Sequence, residues 1–147
     1  MVDSSRVGAV FTGTSPYAVA RAKIVEFADA VGAESALHRD PEAAVAAGYP
    51  DVVAPPTFAV VIAQRAEAEY ISDPASGIDF SRVVHANEGF SYERPLVAGD
   101  VVSTTVHVDD LTERAGITMV TTRTEIADDG GALVATVTST LAVRGEA

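Results

Sequence analysis

The sequence VVSTTVHVDDLTERAGITMVTTRTEIADDGGALVATVTSTLAV, residues 101–143, contains three runs rich in Val, Thr and Ile. The runs are Val101–Val108, Ile117–Ile126 and Leu133–Val143, and β-branched residues of this kind favour strands. Between the runs lie DDLTERAG and ADDGG, which carry turn residues. The pattern predicts an antiparallel meander in which Asp109-Asp110 and Asp128-Asp129 are solvated turn charges.

The threonines of this region predict one polar side of the sheet. An antiparallel sheet commonly buries one face and leaves the other in contact with water or another subunit. We expect that second face to carry Thr118, Thr122, Thr124, Thr136, Thr138 and Thr140.

A long helix is predicted before the strands, from Pro55-Pro56-Thr57 to about Ile71. Its predicted buried face follows the 3, 4, 3, 4 spacing of a helix and comprises Phe58, Val61, Ile62, Arg65, Ala66 and Glu69. The alanines at 59, 63, 66 and 68 would allow a sheet to approach this helix closely.

Two shorter helices are predicted nearer the N-terminus. Val19–Val31 places Ile24, Phe27, Ala28 and Val31 on one face, which is typical of an amphipathic helix. Proline favours a first helical position and glycine a helix end, so Pro41–Ala47 is a further short helix. Strand composition begins at Val83, and Gly99-Asp100 is a turn before the next strand. Helices followed by a strand meander predict the α+β class, with residues 1–147 as one domain.

Composition and charge exclude several functions. The chain has 21 acidic and 10 basic residues and a net charge of −11, which argues against binding to nucleic acid or an anionic membrane. It has no cysteine and only three isolated histidines, so neither a metal nor another cofactor is predicted. No apolar run is long enough to cross a bilayer and no export signal is evident, which favours the cytoplasm.

Three segments and the threonine-rich strands together resemble a known family. The segments are KIVEFADAVG at 23–32, LHRDPEAAVAAGYPDVVAPPTF at 37–58 and SRVVHANEGFSYERPLVAGD at 81–100. They resemble MaoC-like hotdog dehydratases, and most closely the A-type subunit of bacterial (3R)-hydroxyacyl-ACP dehydratases. The resemblance covers nearly the whole chain and implies a curved antiparallel sheet wrapped around a long central helix. It also implies a dimer in which two hotdog chains share one continuous sheet.

The resemblance also implies an active site, but with an acidic group missing. In competent relatives the segment reads approximately Gly-Asp-x-Asn-Pro-(aliphatic)-His, with histidine as the base and aspartate orienting water or the substrate hydroxyl. Here Gly32 and His38 match, but Ala33 stands in place of the aspartate. Glu34 or Asp40 could supply a carboxylate, although neither occupies the matching position. The alternative is that His38 is a loop histidine packed beside Tyr49 or Phe58.

The substrate-binding residues implied by the resemblance lie at the start of the central helix and on the following strand. They are Pro56, Thr57, Phe58 and Asn87. In the family a backbone N–H at the helix start binds the thioester oxygen, and proline has no N–H. The amide of Thr57 or Phe58 must then supply this donor. His85 is expected to be a strand or interface residue, and His107 to face solvent or a subunit.

Three functions are compatible with these residues. The first is a subunit of a (3R)-hydroxyacyl-ACP or -CoA dehydratase complex, a hydro-lyase of fatty-acid elongation. In it this chain lines the acyl channel and a second hotdog chain supplies the Asp/His pair. The second is a non-enzymatic homodimer that binds acyl thioesters. The third is a self-sufficient (R)-specific enoyl-CoA hydratase in which Glu34, Asn87 or ordered water assists His38.

Charge bears on this choice because phosphates and acidic carriers prefer a basic docking surface. To form one, six cations would have to gather, or a partner chain would have to provide the surface. They are Arg21, Lys23, Arg39, Arg65, Arg82 and Arg94.

Overall fold

The structure is a computed structural model that describes residues 1–145. Its helices are α1 (Arg21–Val31), α2 (Pro41–Ala46) and α3 (Ala59–Ile71). Its strands are β1 (Val10–Phe11), β2 (Tyr17–Ala18), β3 (Val83–Tyr92), β4 (Val101–Arg114), β5 (Ile117–Ala127) and β6 (Leu133–Arg144). Short 3-10 turns lie at Ser4–Arg6, Ala36–His38, Pro74–Ser76 and Phe80–Arg82.

The strands form one antiparallel sheet that packs against α3. Its order is β1-β4-β5-β6-β3, and β2 pairs separately with β4. The meander β4-β5-β6 confirms the prediction for residues 101–143. Because α3 contacts β1, β4, β5 and β6, the sheet surrounds a central helix, and the predicted α+β hotdog architecture is confirmed.

The prediction that DDLTERAG forms a turn is wrong. Strand β4 continues through Asp109 and Asp110, with a β-bulge between Val108 and Asp110 that shifts its register against β5. The turn is only Ala115-Gly116, whose φ angles of 53° and 75° are both positive. Such a two-residue turn matches the twist of the strands that it joins. The Asp128 turn is confirmed, since its carboxylate accepts the Gly130 N–H at 3.0 Å.

The threonines do not all lie on one polar face. Thr122 and Thr124 are buried on the same face of β5 as the core residues Val120 and Ile126. Thr138 on β6 is exposed. Successive strand residues point to opposite faces, so position along each strand decides burial, and Thr122 and Thr124 fall on the face toward α3.

Helix α3 begins at Ala59, later than predicted. Pro56–Phe58 form a tight turn before it, in which the Phe58 N–H donates to the Pro55 carbonyl at 2.9 Å. The buried stripe also differs from the predicted face, because Arg65 and Glu69 are exposed. Its members are Ala59, Ile62, Ala63, Ala66, Glu67 and Tyr70. Of the four alanines, only Ala68 is exposed.

The short helices cover one end of this core. In α1, Ile24 and Ala28 are buried as predicted, but Val31 is exposed at the helix end. Phe27 packs edge-on against Phe58 with ring centroids 5.4 Å apart, which joins α1 to the start of α3. Within residues 1–145, no helix is long and apolar enough to cross a membrane.

Candidate active site

His38 is held against the chain segment that leads into α3. It ends the 3-10 turn Ala36–His38, and its Nδ1 lies 2.6 Å from the Val53 carbonyl oxygen. The Val53 N–H in turn donates to the Leu37 carbonyl at 2.8 Å. A carbonyl can only accept a hydrogen bond, so Nδ1 carries a proton, and in the neutral form of the ring Nε2 is then the acceptor. His38 therefore has the tautomer that a general base requires.

The position of the expected aspartate is occupied by a methyl group on a fixed backbone. Gly32 ends α1 in the left-handed conformation with φ of 70°, and the Ala33 N–H donates to the Ala28 carbonyl at 2.8 Å. Arg39 joins this loop to α1, donating to the Ala33 carbonyl at 2.9 Å and to Asp29 at 2.6 Å. The loop around His38 is thus ordered without an acidic group at position 33.

Neither neighbouring carboxylate takes the place of that aspartate. Asp40 caps α2, where its side chain accepts the Glu42 N–H at 2.9 Å. The Glu34 side chain is exposed and makes no hydrogen bond within residues 1–145. Within residues 1–145, His38 therefore has neither Glu34 nor Asp40 as a substitute for the expected aspartate.

The N-terminal end of α3 offers one backbone donor. The Phe58 N–H is already bonded to Pro55, whereas the Thr57 N–H has no acceptor among the described residues. Thr57 is exposed, and the helix dipole places positive charge at this end. Phe58 itself is fully buried, so its side chain belongs to the core. Of the two amides considered, that of Thr57 is the one free to bind an oxyanion.

Tyr92, which the sequence reading did not single out, packs at the same helix end. Its hydroxyl donates to the Pro56 carbonyl at 2.5 Å. Burial raises the pKa of Tyr92, and hydrogen bonding from the Ala59 backbone opposes this effect. The tyrosine thus fixes β3 to the turn that carries Thr57.

Asn87 lies apart from this group. It is an exposed residue of β3, just after a register shift at His85/Asn87, and it makes no hydrogen bond to His38 or Thr57. The structure therefore brings His38 to the segment preceding Thr57 and leaves Asn87 on the strand at the end of the sheet.

A second polar cluster lies further along α3, around a buried carboxyl group. Glu67 is 2% exposed, and the Thr122 hydroxyl donates to it at 2.6 Å. Nearby, His85 Nε2 lies 3.0 Å from Ser139 Oγ and 2.5 Å from a Glu88 carboxylate oxygen. Helical periodicity predicts which positions of α3 are buried, but it does not predict that a hydrogen-bonded glutamate occupies one of them.

The pKa of Glu67 is raised, chiefly because burial disfavours its charged form. The Thr122 hydrogen bond opposes the shift, the Glu88 charge adds to it, and His85 and Ser139 oppose it. Folding therefore shifts the Glu67 carboxyl group toward its neutral form.

Glu67 and His85 line a cavity of about 600 Å³ between α3 and strands β3 and β6. Most of its other lining is apolar, contributed by Ala68, Ile71, Phe80, Val83 and Leu141. Apolar walls with a few placed polar groups are typical of small-molecule sites. The sequence predicts that His85 is a strand or interface residue. His85 does lie on strand β3, and it also lines this cavity.

The cations named from the sequence do not gather into a basic surface. Five of the six bind carboxylates of this chain, in the pairs Arg21–Asp51, Lys23–Glu26, Arg39–Asp29, Arg82–Asp79 and Arg94–Asp100. Arg65 instead donates to Ser15 and lies over the Tyr17 ring, 5.6 Å from its centroid. On β4, His107 is half-buried and lies 2.9 Å from Glu125.

Comparison with known proteins agrees with this architecture. Residues 5–137 match the family model "FAS1-like, dehydratase domain region". A UPF0336 protein of Saccharopolyspora erythraea is 51% identical over 99% of this chain and 94% of that protein. Among solved structures, a MaoC-like dehydratase is 31% identical with a TM-score of 0.89. That match covers 97% of this chain but only 43% of the longer protein.

The truncated HadBC (3R-hydroxyacyl-ACP dehydratase) complex of Mycobacterium tuberculosis is a further structural match. It is 28% identical with a TM-score of 0.85, over 93% of this chain and 96% of the matched chain. The sheet wrapped on α3, with a histidine loop beside the helix start, thus defines a dehydratase-type hotdog domain. The chain belongs to the FAS1-like dehydratase-region family of MaoC-like hotdog proteins.

The raised pKa of Glu67 predicts a specific pH dependence of stability. Folding stability falls as pH rises from the ordinary pKa of 4.5 through the raised value, because the unfolded chain loses its proton first. Glu67→Gln keeps an acceptor for Thr122 without a charge. We expect its free energy of unfolding to exceed the wild-type value at neutral pH, with the difference shrinking toward pH 4.5.

Urea unfolding at a series of pH values measures this difference. Glu93→Gln, a change at an exposed position, is the control and should give a difference that does not vary with pH. A Glu67→Gln difference that is constant, or that grows as pH falls, would contradict the assignment.

Proposed function

We propose that this chain is the acyl-binding subunit of a heterodimeric (3R)-hydroxyacyl thioester dehydratase of fatty-acid elongation. A second hotdog chain supplies the Asp/His pair. One observation carries the proposal: the Val53 carbonyl holds His38 in place, whereas position 33, which carries the aspartate in the family's segment, is Ala33. The similarity to a protein of the HadBC (3R-hydroxyacyl-ACP dehydratase) complex supports it.

The chemistry explains why one chain is insufficient. Loss of water from a 3-hydroxyacyl thioester needs a base for the C2 proton, an acid for the leaving hydroxyl and donors for the thioester oxygen. His38 Nε2 could act as the base and the Thr57 N–H as a donor. Among residues 1–145, the two neighbouring carboxylates do not complete the site, since Asp40 caps α2 and Glu34 is exposed. A complete site must come from a partner chain.

The free end of the sheet supports pairing with that partner. Strand β3 has ten residues, pairs with β6 on one side and ends the sheet on the other, as far as residues 1–145 show. Val84 on this strand is 61% exposed. An unpaired strand edge with an apolar side chain is a template for another strand. We place the second hotdog chain at this edge.

The charge distribution supports a role for the partner chain in binding the carrier of the acyl group. Because five of the six cations considered above already bind carboxylates of this chain, the carrier's phosphate would find little free positive charge here. We propose that the partner provides the basic surface for an acyl-ACP or acyl-CoA in the cytoplasm. This chain would then contribute chiefly the acyl pocket beside α3.

Activity of the separate and combined chains tests this proposal. We expect the purified chain alone not to hydrate crotonyl-CoA, because no acid is present. Co-expression with a hotdog chain carrying the complete Asp/His segment should restore hydration. His38→Ala in this chain should leave that rate within a few-fold. Removal of the partner's histidine should lower it by about 10²–10⁴, the usual contribution of acid–base catalysis.

The two other functions give different results. Hydration by this chain alone at an ordinary enzymatic rate, abolished by His38→Ala, would identify a self-sufficient hydratase. Acyl-thioester binding without turnover in any combination would identify a non-enzymatic binding protein. Either result would overturn the two-subunit proposal.

Ala33→Asp tests whether the rest of the site is in place. The tautomer of His38 is fixed and the Thr57 N–H is free, so we expect the variant alone to gain crotonyl-CoA hydration. The gain should be on the order of 10²-fold over the unchanged chain. Ala33→Asn is the matched control of similar shape and should gain nothing. A folded Ala33→Asp variant without activity would show that His38 is not positioned for catalysis.

A further inference from the structure

The cavity beside Glu67 lies along the helix that begins next to the free Thr57 amide. Val61, Gln64, Ala68 and Ile71 are spaced 3, 4 and 3 residues apart along one side of α3, and Thr57 lies four residues before Val61 in the turn that precedes the helix. All five are exposed or half-exposed. Gln64, Ala68 and Ile71 line the cavity, so this stripe leads from the helix start into it.

The length of this stripe indicates how long a ligand must be to reach the polar cluster. Ala59, the first residue of α3, and Glu67 are eight positions apart, which corresponds to about 12 Å at the helical rise of 1.5 Å per residue, and Thr57 lies two residues before Ala59. An acyl chain whose thioester oxygen is bound at Thr57 could extend along α3 to the polar cluster. Phe80, 71% exposed, lies on the cavity wall and adds apolar surface.

The polar cluster is costly as a purely structural element. Burial of a carboxyl group disfavours folding unless its hydrogen bonds are made, and an apolar side chain of similar size avoids that penalty. Glu67 is nevertheless buried beside Glu88 and His85, with the Thr122 hydroxyl bonded to it. Because Glu67 and His85 also line the cavity, their polar groups are placed where a ligand would meet them.

We infer that Glu67 and His85 recognise a hydrogen-bonding group on the acyl chain, remote from the thioester. The substrate class is therefore an acyl thioester that carries a hydroxyl group near its far end, in preference to a plain alkyl chain of equal length. The apolar walls contact the methylene groups, and Glu67 or His85 bonds the hydroxyl. This inference rests on the proposed function and names the substrate class of that subunit.

Binding to the two-chain complex tests the inference. The probes are saturated acyl-pantetheines of increasing length, each made with and without a terminal hydroxyl, and calorimetry gives their dissociation constants. At the length that reaches Glu67, the hydroxylated probe should bind about three- to tenfold more tightly, the effect of one hydrogen bond. Shorter pairs should show no such preference.

Variants of residues that line the cavity test whether its polar groups cause the preference for the hydroxylated probe. Glu67→Leu should abolish or reverse it, because the hydroxyl then loses its partner. Glu67→Gln should retain most of it. Glu93→Leu, the same kind of change at an exposed position outside the cavity lining, is the control and should leave the preference unchanged. If Glu67→Leu fails to fold, His85→Phe provides the same test, because it also removes a polar group from the cavity.

The failure of this inference is distinguishable from failure of the proposed function. A complex that turns over enoyl thioesters but shows no hydroxyl preference at any length would overturn only the inference. A preference that persists in Glu67→Leu and His85→Phe would also overturn it. Absence of both thioester binding and turnover with any hotdog partner would overturn the proposed function, and this inference with it.

Discussion

The close packing of α3 on the sheet is the constraint on which the rest of the molecule depends. Ala59, Ala63 and Ala66 present only methyl groups on the buried stripe, so the strands can approach the helix axis closely. This position brings the helix start beside the His38 loop and Tyr92. It also brings Glu67 within hydrogen-bond distance of Thr122 on β5. One helix thus connects the candidate catalytic end with the cavity.

The candidate catalytic end is ordered but lacks the acidic group at position 33. The proposed function rests on this combination. The hydrogen bonds between His38, Leu37 and Val53 hold the histidine in a base-competent tautomer, while Ala33 supplies no acid. An ordered half-site, a free strand edge and internally paired cations together favour a chain that works with a partner.

The sequence predicted the positions of the strands and helices well, but it predicted less well which residues of each are buried. Val/Thr/Ile runs identified β4, β5 and β6, and alanine-rich periodicity identified α3, because these signals are local. Thr122 is buried because it lies on the face of β5 toward α3, but its hydrogen-bond partner Glu67 is 55 positions away and could not be identified from the strand alone. Similarly, the strand continues past Asp109 because a bulge and a two-residue turn accommodate it, which composition does not reveal. Tyr92 reaches the helix start only through the folded sheet.

The central claim is that this chain contributes one half of a site shared with a different hotdog chain. Native mass spectrometry of the chain, co-expressed with a hotdog protein that carries the complete Asp/His segment, tests it most directly. The account predicts a one-to-one complex of the two chains, which forms even when the homodimer is available. A chain that remains entirely homodimeric beside an excess of that partner would contradict it.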